Sequence, residues 1–204
     1  MIAAATSARS LMDALHSNGP APDIAQRMRL YAWLVGEWDM DVVIYRSDGT
    51  KQTTQGWISA GWVLEGRAIQ DIFAVPRLFY GTTLRVYDPG LDAWHIHWTD
   101  PVNQVHFWQI GRARGADVVQ EGKETPSLAR LYGSVPASGP QATIRWSFTD
   151  ITADSFHWRS ERSIYGASWQ LQREYFARRV GQSYVGQEPR TLARAGVEAA
   201  GSAQ

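Results

Sequence analysis

Ten tryptophans in 204 residues constrain this chain more than any other feature, because most of them sit in short alternating segments. The clearest is Trp94-His95-Ile96-His97-Trp98. In an extended strand successive side chains leave opposite faces. Trp94, Ile96 and Trp98 therefore share one face, and His95 and His97 the other. Large aromatics on one side and imidazoles on the other suit the wall of a β-barrel with a lined interior.

The texture from Trp38 onward is β throughout. Trp38, Met40, Val42 and Ile44 alternate with Asp39, Asp41 and Tyr45, and Ser47-Asp48-Gly49 supplies a hairpin turn. Further strands are predicted over about 50–58, 61–75, 79–87, 93–99, 104–111, 117–124, 128–134, 141–149, 155–164 and 168–178. Asp88-Pro89-Gly90, Thr99-Asp100-Pro101, Ser138-Gly139-Pro140 and Tyr165-Gly166 carry turn chemistry between them. Strands at this spacing with no helical pattern between them form an up-and-down antiparallel meander, closed as a barrel or packed as a sandwich. Before it, residues 7–17 and about 23–35 read as two short helices, the second opened by Pro22 and stopped by Gly36. The expected organisation is a helical segment over 1–35, a barrel over 36–180, and a disordered tail over 181–204 that is rich in Ala, Gly and Ser.

Charge and composition narrow the partners. Twenty basic and twenty acidic residues leave no formal net charge, and no basic stripe points to nucleic acid. No apolar run approaches the roughly 18 residues of a membrane span, so no membrane partner is expected. The first residues lack a basic stretch followed by a long apolar one, so no secretory signal is read and a cytoplasmic location is expected. With no cysteine, disulfides, thiolate catalysis and Cys-ligated metals are excluded.

Polar residues interrupt the apolar faces at several points. Over 62–74, Val63, Glu65, Arg67, Ile69, Asp71 and Phe73 fall on one face; Trp62, Leu64, Gly66, Ala68, Gln70, Ile72 and Ala74 fall on the other, which reads as core-facing. Phe156, Trp158, Ser160 and Arg162 oppose His157, Arg159 and Glu161. In the last strand Trp169, Leu171, Arg173 and Tyr175 oppose Gln170, Gln172, Glu174 and Phe176. Aromatics and Arg on shared faces fit two readings: a solvated outer wall with cross-strand ion pairs, or an aromatic cage with a few convergent polar groups for a small molecule. Ten tryptophans favour the cage.

Three of the five histidines, His95, His97 and His106, lie close in sequence. Their convergence depends on register. If Trp98 pairs with Gln104, His106 faces away from His97; if Trp98 pairs with Val105, His97 meets His106 and three imidazoles could bind zinc. The loop Thr99-Asp100-Pro101-Val102-Asn103 permits either, and a metal is not the expected outcome. As a catalytic alternative, His97 beside Asp100 could form an acid–base pair. No phosphate loop, dinucleotide fingerprint or Ser/His/Asp motif is present, and no cofactor is expected.

Several motifs carry a resemblance. Leu34-Val35-Gly36-Glu37-Trp38 is similar to the Leu-x-Gly-x-Trp opening of calycin-like barrels. Leu64-Glu65-Gly66-Arg67, Tyr80-Gly81, Arg85-Val86-Tyr87-Asp88 and His97-Trp98-Thr99-Asp100 resemble a bacterial family of unknown function with that lipocalin-like barrel. The resemblance spans about 30–178. It implies a fold and supplies no catalytic residues, since the wider group includes lipid carriers, haem-binding proteins and cofactor-free enzymes.

The resulting expectation is an all-β, antiparallel up-and-down calycin-like barrel of about ten strands with a short N-terminal helical segment. It would bind a small hydrophobic or aromatic molecule inside, and if catalytic would be a cofactor-free acid–base enzyme of the isomerase, cyclase, hydratase or lyase type. Alternatives are a non-catalytic carrier and a His-ligated metal or haem protein. In the enzyme reading, His97 or His106 moves the proton, Arg67 holds a carboxylate or enolate, and Asp100 or Asp71 orients them. Trp98, Trp108, Trp158 and Tyr80 contribute to ligand binding. Tryptophans on an exposed barrel face would also suit a homodimer.

Overall fold

The computed structural model describes residues 10–131, 141–164, 166 and 168–181. The segments 1–9, 132–140 and 182–204 lie outside them. These include the Ser138-Gly139-Pro140 turn and nearly all of the expected tail.

A short helix, α1 (Leu11–Leu15), is capped by Ser10, whose side chain accepts from the Asp13 amide. A two-residue strand β1 (His16–Ser17) and helix α2 (Ala25–Ala32) follow. Ten longer strands then form the barrel: β2 (Gly36–Tyr45), β3 (Lys51–Val63), β4 (Ala68–Val75), β5 (Phe79–Asp88), β6 (Ala93–Asp100), β7 (Val105–Arg114), β8 (Asp117–Lys123), β9 (Thr143–Thr149), β10 (Ser155–Ser163) and β11 (Gln170–Arg179). Every pairing is antiparallel between sequence neighbours, save that β11 returns to β2, and that contact closes the sheet. β1 adds two residues to the end of β3. A third helix, α3 (Pro126–Leu131), follows β8.

The alternation of Trp38, Met40 and Val42 in β2, of Phe156, Trp158 and Ser160 in β10, and of Arg173, Tyr175 and Ala177 in β11 is realised as buried positions. These join Trp94, Ile96, Trp98, Phe107, Ile144, Trp146 and Phe148 in one continuous core. Full burial of a large apolar side chain contributes about 1.5–3 kcal/mol, so the aromatic interior dominates the stability of the barrel.

The two ends differ. At one end α2 is seated in the barrel mouth, with Met28, Tyr31 and Leu34 fully buried. Its surroundings are tied to that rim by ion pairs Arg27–Asp92 and Arg67–Asp23. Arg179 completes the seal. Its guanidinium donates to the carbonyls of Val35, Trp33 and Ala153 at 2.9, 2.7 and 2.6 Å and lies 4.0 Å from the ring centre of Trp38. Gly36, at φ +127°, is required here because the Arg179 Nη1 occupies the place a Cβ would take. At the other end α3 sits beside the start of β7, where Thr125 Oγ1 donates to the His106 carbonyl.

Three sequence expectations need correction. The strand expected over 61–75 is two strands, because Leu64, Glu65 and Gly66 all adopt positive φ (52°, 57° and 77°) and form the β3–β4 turn. The turn breaks the parity across 62–74: Ile69, Asp71 and Phe73 face the interior, not the set containing Gln70 and Ile72. The strand expected over 128–134 begins inside helix α3. Thr125 and Pro126 start that helix, Thr125 Oγ1 accepting from the Leu128 amide at 3.2 Å.

β3 and β4 pair from Trp57↔Ala74 to Val63↔Ala68, whereas β3 pairs with β2 along its length from Lys51 to Ala60. Among the described residues, 51–56 thus have a strand neighbour on one side only.

Candidate functional site

The barrel encloses a cavity between α2 and α3. Phe73, Phe79, Trp98, Trp146, Trp158 and Tyr175 supply much of its wall; Leu34, just past the end of α2, and Leu128, from α3, complete it. Trp158 and Tyr175 stack at 4.2 Å with planes 5° apart, and Phe73 stacks on Phe79 at 5.2 Å. Four polar side chains interrupt this lining: Asp71, Thr83, Arg85 and Arg173.

The room for a water-sized sphere is about 50 Å³. A water takes about 30 Å³ of liquid volume, and an apolar cavity of about 150 Å³ accepts a benzene ring. Water fits the cavity as it stands. An aromatic ring enters only if a wall side chain gives way. Leu128, on the six-residue helix α3, and Leu34 are the two residues of the described lining that lie outside the strands.

The polar groups form a defined set. Arg85 Nη1 meets Asp71 Oδ2 at 2.6 Å, and Asp71 Oδ1 accepts from the Thr83 amide at 2.9 Å. The Arg85 guanidinium also lies 5.4 Å from the ring centre of Tyr31. Burial pushes the Tyr31 phenol up to about 12, against the opposing pull of Arg85 and of a hydrogen bond from Gln120 Nε2 at 3.0 Å. Two buried donors of the lining, Arg85 Nε and Trp146 Nε1, have no hydrogen-bond partner among the described residues. Asp71 is committed to Arg85, and burial favours the protonated Tyr31 phenol. No histidine is among the described residues of the lining.

The structure brings Asp71, Trp98 and Trp158 to the cavity wall. The other sequence candidates lie elsewhere. Arg67 is on the surface, paired with Asp23. Asp100 is fully buried, but its Oδ1 accepts from the amides of Val102 and Asn103 and its Oδ2 from the Asn103 side chain, so it builds the β6–β7 turn. Tyr80 and Trp108 are exposed. His97 and His106 lie on the outer face of the barrel.

The β6–β7 register differs from both alternatives drawn from sequence. β6 runs on to Asp100, which pairs with Val105, so Trp98 meets Phe107, His97 meets Trp108 and Thr99 meets His106. His95, His97 and His106 share the outer face without converging. Among the described residues no group of three or more His, Asp or Glu side chains is placed to hold a metal ion. His95 Nε2 instead meets Asp88 at 2.9 Å, and the His97 ring lies 4.9 Å from that of Trp108.

Sequence reasoning missed Thr83, Arg85, Trp146 and Leu128, and named Arg173 only as one aromatic-flanked arginine among several. Alternation along β5 (Phe79, Gly81, Thr83, Arg85) was the available signal for Thr83 and Arg85.

No family model matches this chain, and no curated protein matches it. Among solved structures it is similar to the crystal structure of Rv2717c from M. tuberculosis. The identity is 13%, the match covers 79% of this chain and 99% of that one, and the TM-score is 0.49. Among the described residues no helix is long and apolar enough to cross a membrane.

Proposed function

We propose that the barrel binds a small, flat, hydrophobic or aromatic organic molecule in its interior and carries it without chemical change. The observation behind this reading is the aromatic cavity that holds Arg85, Asp71 and the unmatched Trp146 Nε1–H in its wall. Apolar lining with few fixed polar groups is the general form of a small-molecule site. Barrels of this size hold one ligand, as calycin-like barrels do, and the Leu34–Trp38 opening of the first strand adds to that likeness. Carriage is favoured over acid–base catalysis because the histidines and Asp100 lie away from the cavity, while Asp71 is locked to Arg85.

A cavity-filling variant tests this. Titration with indole should change the tryptophan emission of the native protein saturably. Leu128→Trp, which fills the space, should abolish the response while circular dichroism stays native. An unsaturable response, or one unaltered in the filled variant, overturns the proposal.

A further inference from the structure

We infer that the occupant of the barrel is an anion: a planar ring bearing a carboxylate, whose oxygen accepts from Trp146 Nε1–H. This rests on the reading of the interior as a binding site and specifies its chemistry. Buried polar groups are almost always hydrogen-bonded, and a buried orphan costs stability. Two residues of the lining, Trp146 and Arg85, each carry a buried donor without a hydrogen-bond partner among the described residues, Nε1 and Nε. Indole and guanidinium nitrogens can only donate. The cavity therefore calls for an acceptor and has no use for a second donor.

Charge points the same way. The single carboxylate of the lining, Asp71, is 2.6 Å from Arg85, and Arg173 adds a second guanidinium to the wall. Arg173 lies 5.5 Å from the Phe79 ring centre, and Phe79 stacks on Phe73. An aromatic floor thus adjoins the cationic groups. A cation would meet the Arg85 guanidinium in the wall; a ring carboxylate can stack on the aromatic lining and accept from its donors. A hydrogen bond to a charged group is shorter and about twice as strong as a neutral one, so charge, and not acceptor capacity alone, sets the preference.

The test uses three single-ring probes of similar shape: benzoate, toluene and benzylamine. Binding is measured by isothermal calorimetry to the native protein and to Trp146→Phe, which keeps a ring and removes the N–H. Benzoate should bind at least about tenfold more tightly than toluene, and benzylamine more weakly than both. Trp146→Phe enlarges the cavity for both probes but should lower the preference for benzoate over toluene by about tenfold, the scale of one hydrogen bond to a charged group. If that variant fails to fold, the assigned Trp146 indole N–H resonance of the native protein replaces it. That resonance should move downfield with benzoate and not with toluene. Toluene binding as tightly as benzoate, or an unmoved indole N–H, overturns the anion assignment while leaving the binding site intact. Failure of all three probes to bind would mean that the cavity holds water alone, and both readings would fall.

Discussion

Asp71 and Arg85 meet inside the barrel at 2.6 Å, on adjacent strands and two register steps apart, each with under 5% of its side chain exposed. A charge pair this deep is costly to split, because removing one partner strands the other away from water. Asp71→Ala should cost on the order of 3–5 kcal/mol, and the double replacement Asp71→Leu with Arg85→Met should cost less than either single change. Urea unfolding of Asp71→Ala, Asp71→Leu, Arg85→Met and the double variant checks this. A double variant as unstable as the sum of the singles would contradict it.

Tyr31 and Gly111 predict a second coupling. The Tyr31 hydroxyl lies where a Cβ on Gly111 would go, and the Tyr31 ring is fixed edge-on to Trp94 at 4.9 Å. Gly111→Ala should therefore destabilise by about 1–3 kcal/mol, as overpacking does. In a Tyr31→Phe background, which deletes the obstructing oxygen, the same change should cost measurably less. A thermodynamic cycle over the two sites reads the difference directly, and strict additivity would show that the hydroxyl is not what Gly111 makes room for.

His97 gives a dependence on pH. Desolvation against the outer wall, and then the charge of His95, hold its pKa below the ordinary 6.5. The unfolded chain then binds the proton more readily than the folded one, so stability rises with pH across the interval between the folded value and 6.5. Acidification from about pH 7 to about pH 5 should lower the melting temperature of the native protein more than that of His97→Gln. Parallel melting curves for the two would exclude His97 as a source of the acid sensitivity.

Leu128 controls the size of the interior. Truncation to Ala should cost about 2–5 kcal/mol, the range for a buried leucine. It should also enlarge the cavity, so that single-ring ligands bind the variant more tightly than the native protein. Calorimetry with toluene separates the two effects. Weaker binding in a variant that still melts cooperatively would mean that Leu128 is a contact and not an obstruction.

Much of the barrel was readable from period-two alternation alone. Trp38, Met40 and Val42, or Phe156 and Trp158, point inward as their spacing predicts. Alternation names two faces without saying which one is inside, and it fails wherever parity is reset. Three left-handed residues after Val63 reset it for Asp71 and Phe73. The strand extension to Asp100 moved the β6–β7 pairing by two or three residues from the two alternatives considered. His97 therefore meets a tryptophan instead of a histidine. The Asp71–Arg85 pair depends on how β4 docks on β5, a contact no local pattern encodes. Trp98 and Trp158 were legible because bulk and alternation agree at both positions.

The overhang of β3 beyond β4 makes the far rim a point of vulnerability. Closure through the β11–β2 and β3–β4 pairings removes the two free edge strands that an open sheet would have. Over Lys51-Gln52-Thr53-Thr54-Gln55 the side of the backbone away from β2 has no strand beside it among the described residues. Open edges of this kind template polymers, and a lysine with polar companions is the usual protection. Lys51 and its polar neighbours thus guard a stretch of edge while contributing nothing to the buried core.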